Sequence, residues 1–150
     1  MGYDDDEKCN PIVGLWFGTS AFGGLSTPFV CNFGLGIWNG SGLADQGPTV
    51  SNPNLALDTT RYGTYKKSGH RQYKVLLSYF ISTKNCTTNC LLLNDSQIIS
   101  KFVGVLQLNK DRKSFIITGT KYNYKASDNM NTAVPLSAVP FTITCEKTNY

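Results

Sequence analysis

Five cysteines, one histidine and, beyond the acidic start, six carboxylates are the residues through which this 150-residue chain could do chemistry. Cys86-Thr87-Thr88-Asn89-Cys90 is a Cys-x3-Cys pair, but His70 is far from it and no further cysteine or histidine completes a tetrahedral ligand set at a familiar spacing. His70 itself stands beside Ser68-Gly69 among Lys66, Lys67 and Arg71, whose positive charge disfavours its protonated form. A histidine acting as base needs a carboxylate or a nucleophile at hydrogen-bond distance, and none adjoins it in sequence, so it reads as an exposed turn residue. Asp45, Asp58, Asp95, Asp111, Asp128 and Glu146 each fall in or near a polar loop and form no facing pair of the kind glycoside hydrolysis requires. There is no Gly-x-Ser-x-Gly, phosphate loop or dinucleotide fingerprint. The expectation is a non-enzymatic protein with no metal and no cofactor.

Cys9, Cys31, Cys86, Cys90 and Cys145 are an odd set, which permits two internal bridges at most. In an even-stranded up-and-down barrel the first strand starts and the last strand ends at the same rim, and Cys9 and Cys145 occupy those two places. A Cys9 to Cys145 bridge is therefore expected. It would close nearly the whole chain and stabilise it by about 4 kcal/mol in the loop-entropy account. Cys86 and Cys90 form a candidate local bridge, and Cys31, inside an apolar strand, reads as a buried free thiol.

The composition is 41% hydrophobic and 12% aromatic with only 16% charged residues, so neutral polar side chains must cover the surface. Asn, Ser, Thr, Tyr and Gly supply them, and these favour turns and strands over helices. Net charge is +4, yet four of the ten acids sit in Asp4-Asp5-Asp6-Glu7; beyond residue 8 there are 13 bases against 6 acids. Residues 1–8 read as an acidic leader or expression scar, and 9–150 as one domain. No run of eighteen apolar residues is present, so no membrane-spanning helix is expected. Bridged cysteines would suit a secreted, extracellular or virion-surface setting, with a cytoplasmic one left open.

Short apolar runs bounded by glycine and proline recur along the chain. They lie at 12–19, 28–33 and 36–38, then at 61–67 and 71–81, where Tyr73, Val75, Leu77, Tyr79 and Ile81 share one face by the two-residue period. Ile98 to Leu108, the turn Asn109-Lys110-Asp111-Arg112 and Lys113 to Lys125 make the clearest hairpin, and Leu136 to Cys145 supplies a closing strand. About eight strands with mostly local connections predict an all-β fold, a single antiparallel up-and-down barrel, because closure removes exposed edges. A β-sandwich is the alternative.

Val13-Gly14-Leu15-Trp16-Phe17, opening the first strand, resembles the Gly-x-Trp signature of the calycin superfamily, the lipocalins and avidin-like barrels. The resemblance implies that Trp16 plugs the closed end of a barrel and that Gly14 lets the backbone pass close to its neighbour. Gly36-Ile37-Trp38 matches the same three-residue signature a second time. The rhythm continues through Tyr62-Gly63-Thr64-Tyr65 and Phe115-Ile116-Ile117-Thr118-Gly119-Thr120, and from Cys9 to Cys145 it is similar to small bacterial and viral lipocalin-like barrels. Asp58-Thr59-Thr60-Arg61-Tyr62 stands where lipocalins carry a Thr-Asp-Tyr-like motif. No arginine follows Arg112, although lipocalins pack a late arginine on the tryptophan.

The leading functional expectation is a lipocalin-like barrel binding a small apolar or amphipathic ligand, with Trp38, Tyr73, Val75, Leu77, Tyr79, Phe115 and Ile117 as pocket walls. The walls could equally fill the barrel outright. A second expectation is a structural or interaction protein whose loops 41–54, 82–95 and 126–134 meet a partner. A third is weak polyanion binding through the interleaved Tyr62, Tyr65, Lys66, Lys67, Arg71, Tyr73, Lys74 and Lys121, Tyr122, Tyr124, Lys125. Nucleic acid ranks below the first two as a partner, and oligomeric state is not legible.

Overall fold

The computed structural model describes residues 10–22, 24–42, 54–58, 61–85, 91–92 and 98–149. Ten strands appear: β1 (Gly14–Phe22), β2 (Leu25–Phe33), β3 (Ile37–Gly42), β4 (Asn54–Asp58), β5 (Arg61–Gly69), β6 (Gln72–Asn85), β7 (Leu91–Leu92), β8 (Ile98–Leu108), β9 (Ser114–Lys125) and β10 (Ser137–Lys147). Eight of them close a ring in the order β1-β2-β3-β5-β6-β8-β9-β10, every pairing antiparallel, with β10 returning to β1. The protein is thus an up-and-down barrel, and the described residues contain no helix. β4 and β7 lie outside the ring and pair with the far end of β6, which runs on to Asn85.

The alternation of residue types produces the walls. Along β8, Ser100, Phe102, Gly104, Leu106 and Leu108 are buried, with exposed or half-buried residues between them. Along β6, Tyr73, Val75, Leu77 and Tyr79 turn inward. Successive side chains of a strand point to opposite faces, so one face of each strand faces the barrel axis. The β8–β9 hairpin forms where its polar turn predicts. Asn109 N donates to the Ser114 carbonyl at 2.8 Å, and the Asp111 carboxylate accepts from Lys113 N at 2.9 Å. The β5–β6 turn lies at His70-Arg71, preceded by a register shift between Lys67 and Gly69.

One end of the barrel is sealed by aromatic rings. Trp16 is fully buried, its indole N–H donates to the Ile12 carbonyl at 2.9 Å, and its ring lies 4.8 Å from Phe115. Phe33 stacks on Trp38 at 4.8 Å with planes 11° apart, and meets Phe115 and Tyr65 edge-on. The Lys147 ammonium lies 5.6 Å from the centre of the Trp16 ring. Gly14 adopts a φ of +135°, and a Cβ there would meet only the Lys147 side chain at 3.4 Å. It is therefore backbone conformation, not a close neighbour, that calls for glycine at this position.

The expected Cys9 to Cys145 bridge is not formed. The first and last strands do share a rim, with Trp16 opposite Lys147. The two-residue alternation nevertheless turns Cys145 inward beside Ile143, where it is a fully buried free thiol. Cys9, Cys86 and Cys90 lie outside the described residues. Cys31, the expected buried free thiol, has that character.

Candidate functional site

The seven residues expected to wall a pocket all lie inside the barrel, 0 to 5% exposed. Trp38, Tyr73 and Phe115 belong to the aromatic plug, with Trp38 donating to the Leu76 carbonyl at 3.2 Å. Val75, Leu77 and Ile117 occupy the middle, within one cluster that also holds Phe102, Leu106 and Ile143. Tyr79 lies toward the opposite end. These side chains pack as an interior of close-fitting apolar groups, and water reaches almost none of their surface. Trp16, expected as the plug, sits at the sealed end with Gly14 preceding it in β1.

The opposite end has a different chemistry. Arg61 on β5 and Lys121 on β9 are buried there on either strand group flanking Tyr79. The Arg61 guanidinium lies 4.2 Å from the Tyr79 ring centre and 5.8 Å from that of Phe29, while the Lys121 ammonium lies 5.4 Å from Tyr79. The ring's negative face attracts both cations. Beside them runs a chain of polar contacts: Ser100 Oγ to Asn123 Oδ1 at 2.6 Å and Asn123 Nδ2 to Ser137 Oγ at 2.9 Å. Ser20 and Thr27 pair at 3.0 Å in the same end. Such a lining offers donors and positive charge to an anionic group.

The sequence places Arg61 at the start of the extended segment 61–67 and Lys121 in the basic tyrosine-rich face, and neither is expected inside the barrel. Parity carries the missed signal, because Arg61 shares the face of Gly63 and Tyr65, and Lys121 shares that of Ile117 and Gly119. The same alternation divides the interleaved tyrosine and lysine segment. Tyr65 and Tyr73 are buried and face one another edge-on at 5.7 Å, whereas Lys66, Lys67 and Lys74 remain outside. Tyr62 is exposed and Tyr124 is buried, with Lys101 5.7 Å from its ring. His70 is exposed at its turn. Among the described residues no three His, Cys, Asp or Glu side chains come together as a metal site would need, and no helix is long and apolar enough to cross a membrane.

On the outer wall, a groove of about 860 Å³ crosses β5, β6, β8 and β9. Leu76, Val103, Val105 and Thr118 line it, Gly104 and Gly119, directly paired, form its floor, and Lys66 and Lys74 stand opposite each other at its edge.

Cys31 and Cys145 flank β1 from β2 and β10, and their thiols hydrogen-bond each other. That bond, followed by burial, pushes the Cys31 thiol far above its ordinary range. A thiol held protonated in the fold but free to ionise when unfolded gives stability that is complete below about pH 8.5 and is lost as pH rises beyond it, by roughly 1.4 kcal/mol per pH unit. Burial also raises Tyr65, partly offset by the Gly36 backbone and the Asn10 amide, and adds to the same alkaline loss at higher pH. Denaturation midpoints should fall above that pH, with a shallower fall in Cys31→Ala. Iodoacetamide should leave Cys31 and Cys145 unmodified until the chain is unfolded; rapid labelling of the native protein would contradict their burial.

A scan against protein-family models, a search of curated proteins and a search of solved structures each returned no match. The barrel is compatible with a calycin-like fold on architecture alone.

Proposed function

We propose that this chain is a non-enzymatic interaction protein, a side-chain-filled, calycin-like barrel that presents its hairpin tips and loops to a partner. The supporting observation is the interior: Trp38, Tyr73, Val75, Leu77, Tyr79, Phe115 and Ile117 are at most 5% exposed and lie within the packed core. A carrier needs a concavity that buries most of its ligand, and these residues leave almost no surface open to one.

A second reading is favoured by one specific feature, the Arg61, Tyr79 and Lys121 cluster. It would suit the anionic head of a small amphipathic ligand held at that end of the barrel.

Native mass spectrometry of protein purified from a eukaryotic host separates the two. The interaction reading expects the bare chain mass. A discrete extra mass that leaves on denaturation, and that is lost in Lys121→Gln, would overturn it in favour of the carrier.

A further inference from the structure

Among the described residues most of the exposed bases lie at the sealed end, while Arg61, Lys101, Lys121 and Lys125 lie toward the other. The β5–β6 hairpin carries Lys66, Lys67, Arg71 and Lys74, and the β8–β9 turn carries Lys110, Arg112 and Lys113; all are exposed except the half-buried Arg71. Asp111 and Glu146 are the acids among the described residues there. These segments form one rim. Leu108 N donates to the Arg71 carbonyl at 2.8 Å, Lys147 N donates to the Lys113 carbonyl at 2.9 Å, and Tyr65 N donates to the Gly36 carbonyl at 3.2 Å. The last contact joins the β2–β3 turn to the rim, and that turn presents apolar side chains: Leu35 is 60% exposed and Ile37 62%.

Arg71 and Arg112 have φ values of 54° and 62°, the left-handed region that glycine and asparagine enter more cheaply. Both basic tips thus hold an arginine in a backbone conformation that glycine would relieve.

We infer that this rim docks on an anionic lipid bilayer, with the lysines and arginines lying among acidic headgroups and Leu35 and Ile37 entering the acyl boundary. Clustered bases are drawn to acidic lipid surfaces, and apolar residues at a turn tip add burial that a soluble polyanion cannot reward. Nucleic acid fits less well. Single-strand binders stack successive bases on several exposed rings, while Trp16, Phe33, Trp38, Tyr65, Tyr73 and Phe115 of this end are buried in the plug and only Phe17 among its described aromatic residues is exposed. The inference rests on the interaction reading.

The test is co-sedimentation of the full chain with vesicles of phosphatidylcholine alone and of phosphatidylcholine with about 30% phosphatidylserine, at low and high salt. Binding is expected only to the acidic vesicles and should decline with salt. Lys110→Glu with Lys113→Glu should weaken it by about tenfold or more. Leu35→Ser with Ile37→Ser should weaken it several-fold while leaving the salt dependence in place. Arg71→Gly with Arg112→Gly is the critical variant, because it removes two charges yet relaxes both turns. Binding should fall while the thermal midpoint rises, so the loss cannot come from unfolding.

Equal sedimentation with both vesicle types, or retention on heparin or a single-stranded oligonucleotide without vesicle binding, would overturn the inference. If the same preparation shows the bare chain mass, only the bilayer assignment fails; if it shows a bound small molecule, the interaction reading fails with it.

Discussion

Replacing Gly18 with alanine is expected to break the barrel at its seam. A Cβ on Gly18 would lie 1.8 Å from the Thr144 carbonyl oxygen and 2.8 Å from the Cys145 Cα, both backbone atoms of β10. Neither can rotate away, so β10 would have to withdraw from β1. No turn joins these two strands; they are the ends of the ring, held by the register from Trp16–Lys147 to Phe22–Phe141 and by the packing beneath it. Overpacking a core usually costs about 1–3 kcal/mol, and forcing a backbone apart should exceed that range. A domain with about 5–15 kcal/mol of total stability would be mostly unfolded or reduced to a marginal state. Gly36→Ala supplies the contrast. That glycine has φ +74° but no atom within 4 Å of its missing Cβ, so it should lose only about 1–2 kcal/mol, the ordinary left-handed cost. Urea denaturation of the two variants measures the difference, and similar midpoints would refute the close approach of β10 to Gly18.

Trp16→Ala is the second large effect. The side chain is fully buried, fills the sealed end against Phe115, lies beneath the Lys147 ammonium, and satisfies the Ile12 carbonyl with its N–H. Truncation removes the indole's transfer energy and leaves a cavity that the rigid ring of strands cannot collapse to fill. Such losses run to about 3–5 kcal/mol. Trp16→Phe should recover much of the volume but leave the Ile12 carbonyl without its donor, a cost of about 1–3 kcal/mol. If Trp16→Ala melted within a few degrees of the parent, the plug would not be what closes this end.

Much of the architecture was readable from local pattern. The alternation in Tyr73, Val75, Leu77 and Tyr79, the β8–β9 hairpin with its Asn109 to Arg112 turn, and the Gly-x-Trp opening are signals confined to a few neighbouring residues, and the structure preserves each of them. An eight-membered ring followed from the number of strands and their short connections. The second Gly-x-Trp, read for a pocket wall, places Trp38 in the plug on Phe33, because β2 and β3 pair with those two residues directly opposite.

What the amino-acid order could not decide is which distant strands stand beside one another. Cys145 and Cys31 meet only because β10 and β2 both adjoin β1, so a thiol assigned to a terminal bridge lies instead in the core. The gathering of bases at the sealed end depends in the same way on hairpins separated by some forty residues turning at one rim, a consequence of up-and-down closure. The face that each residue takes follows from a period of two and is written locally. Which faces then meet is set by the long-range ladder and the packing that completes it, and there the tertiary structure alone decided.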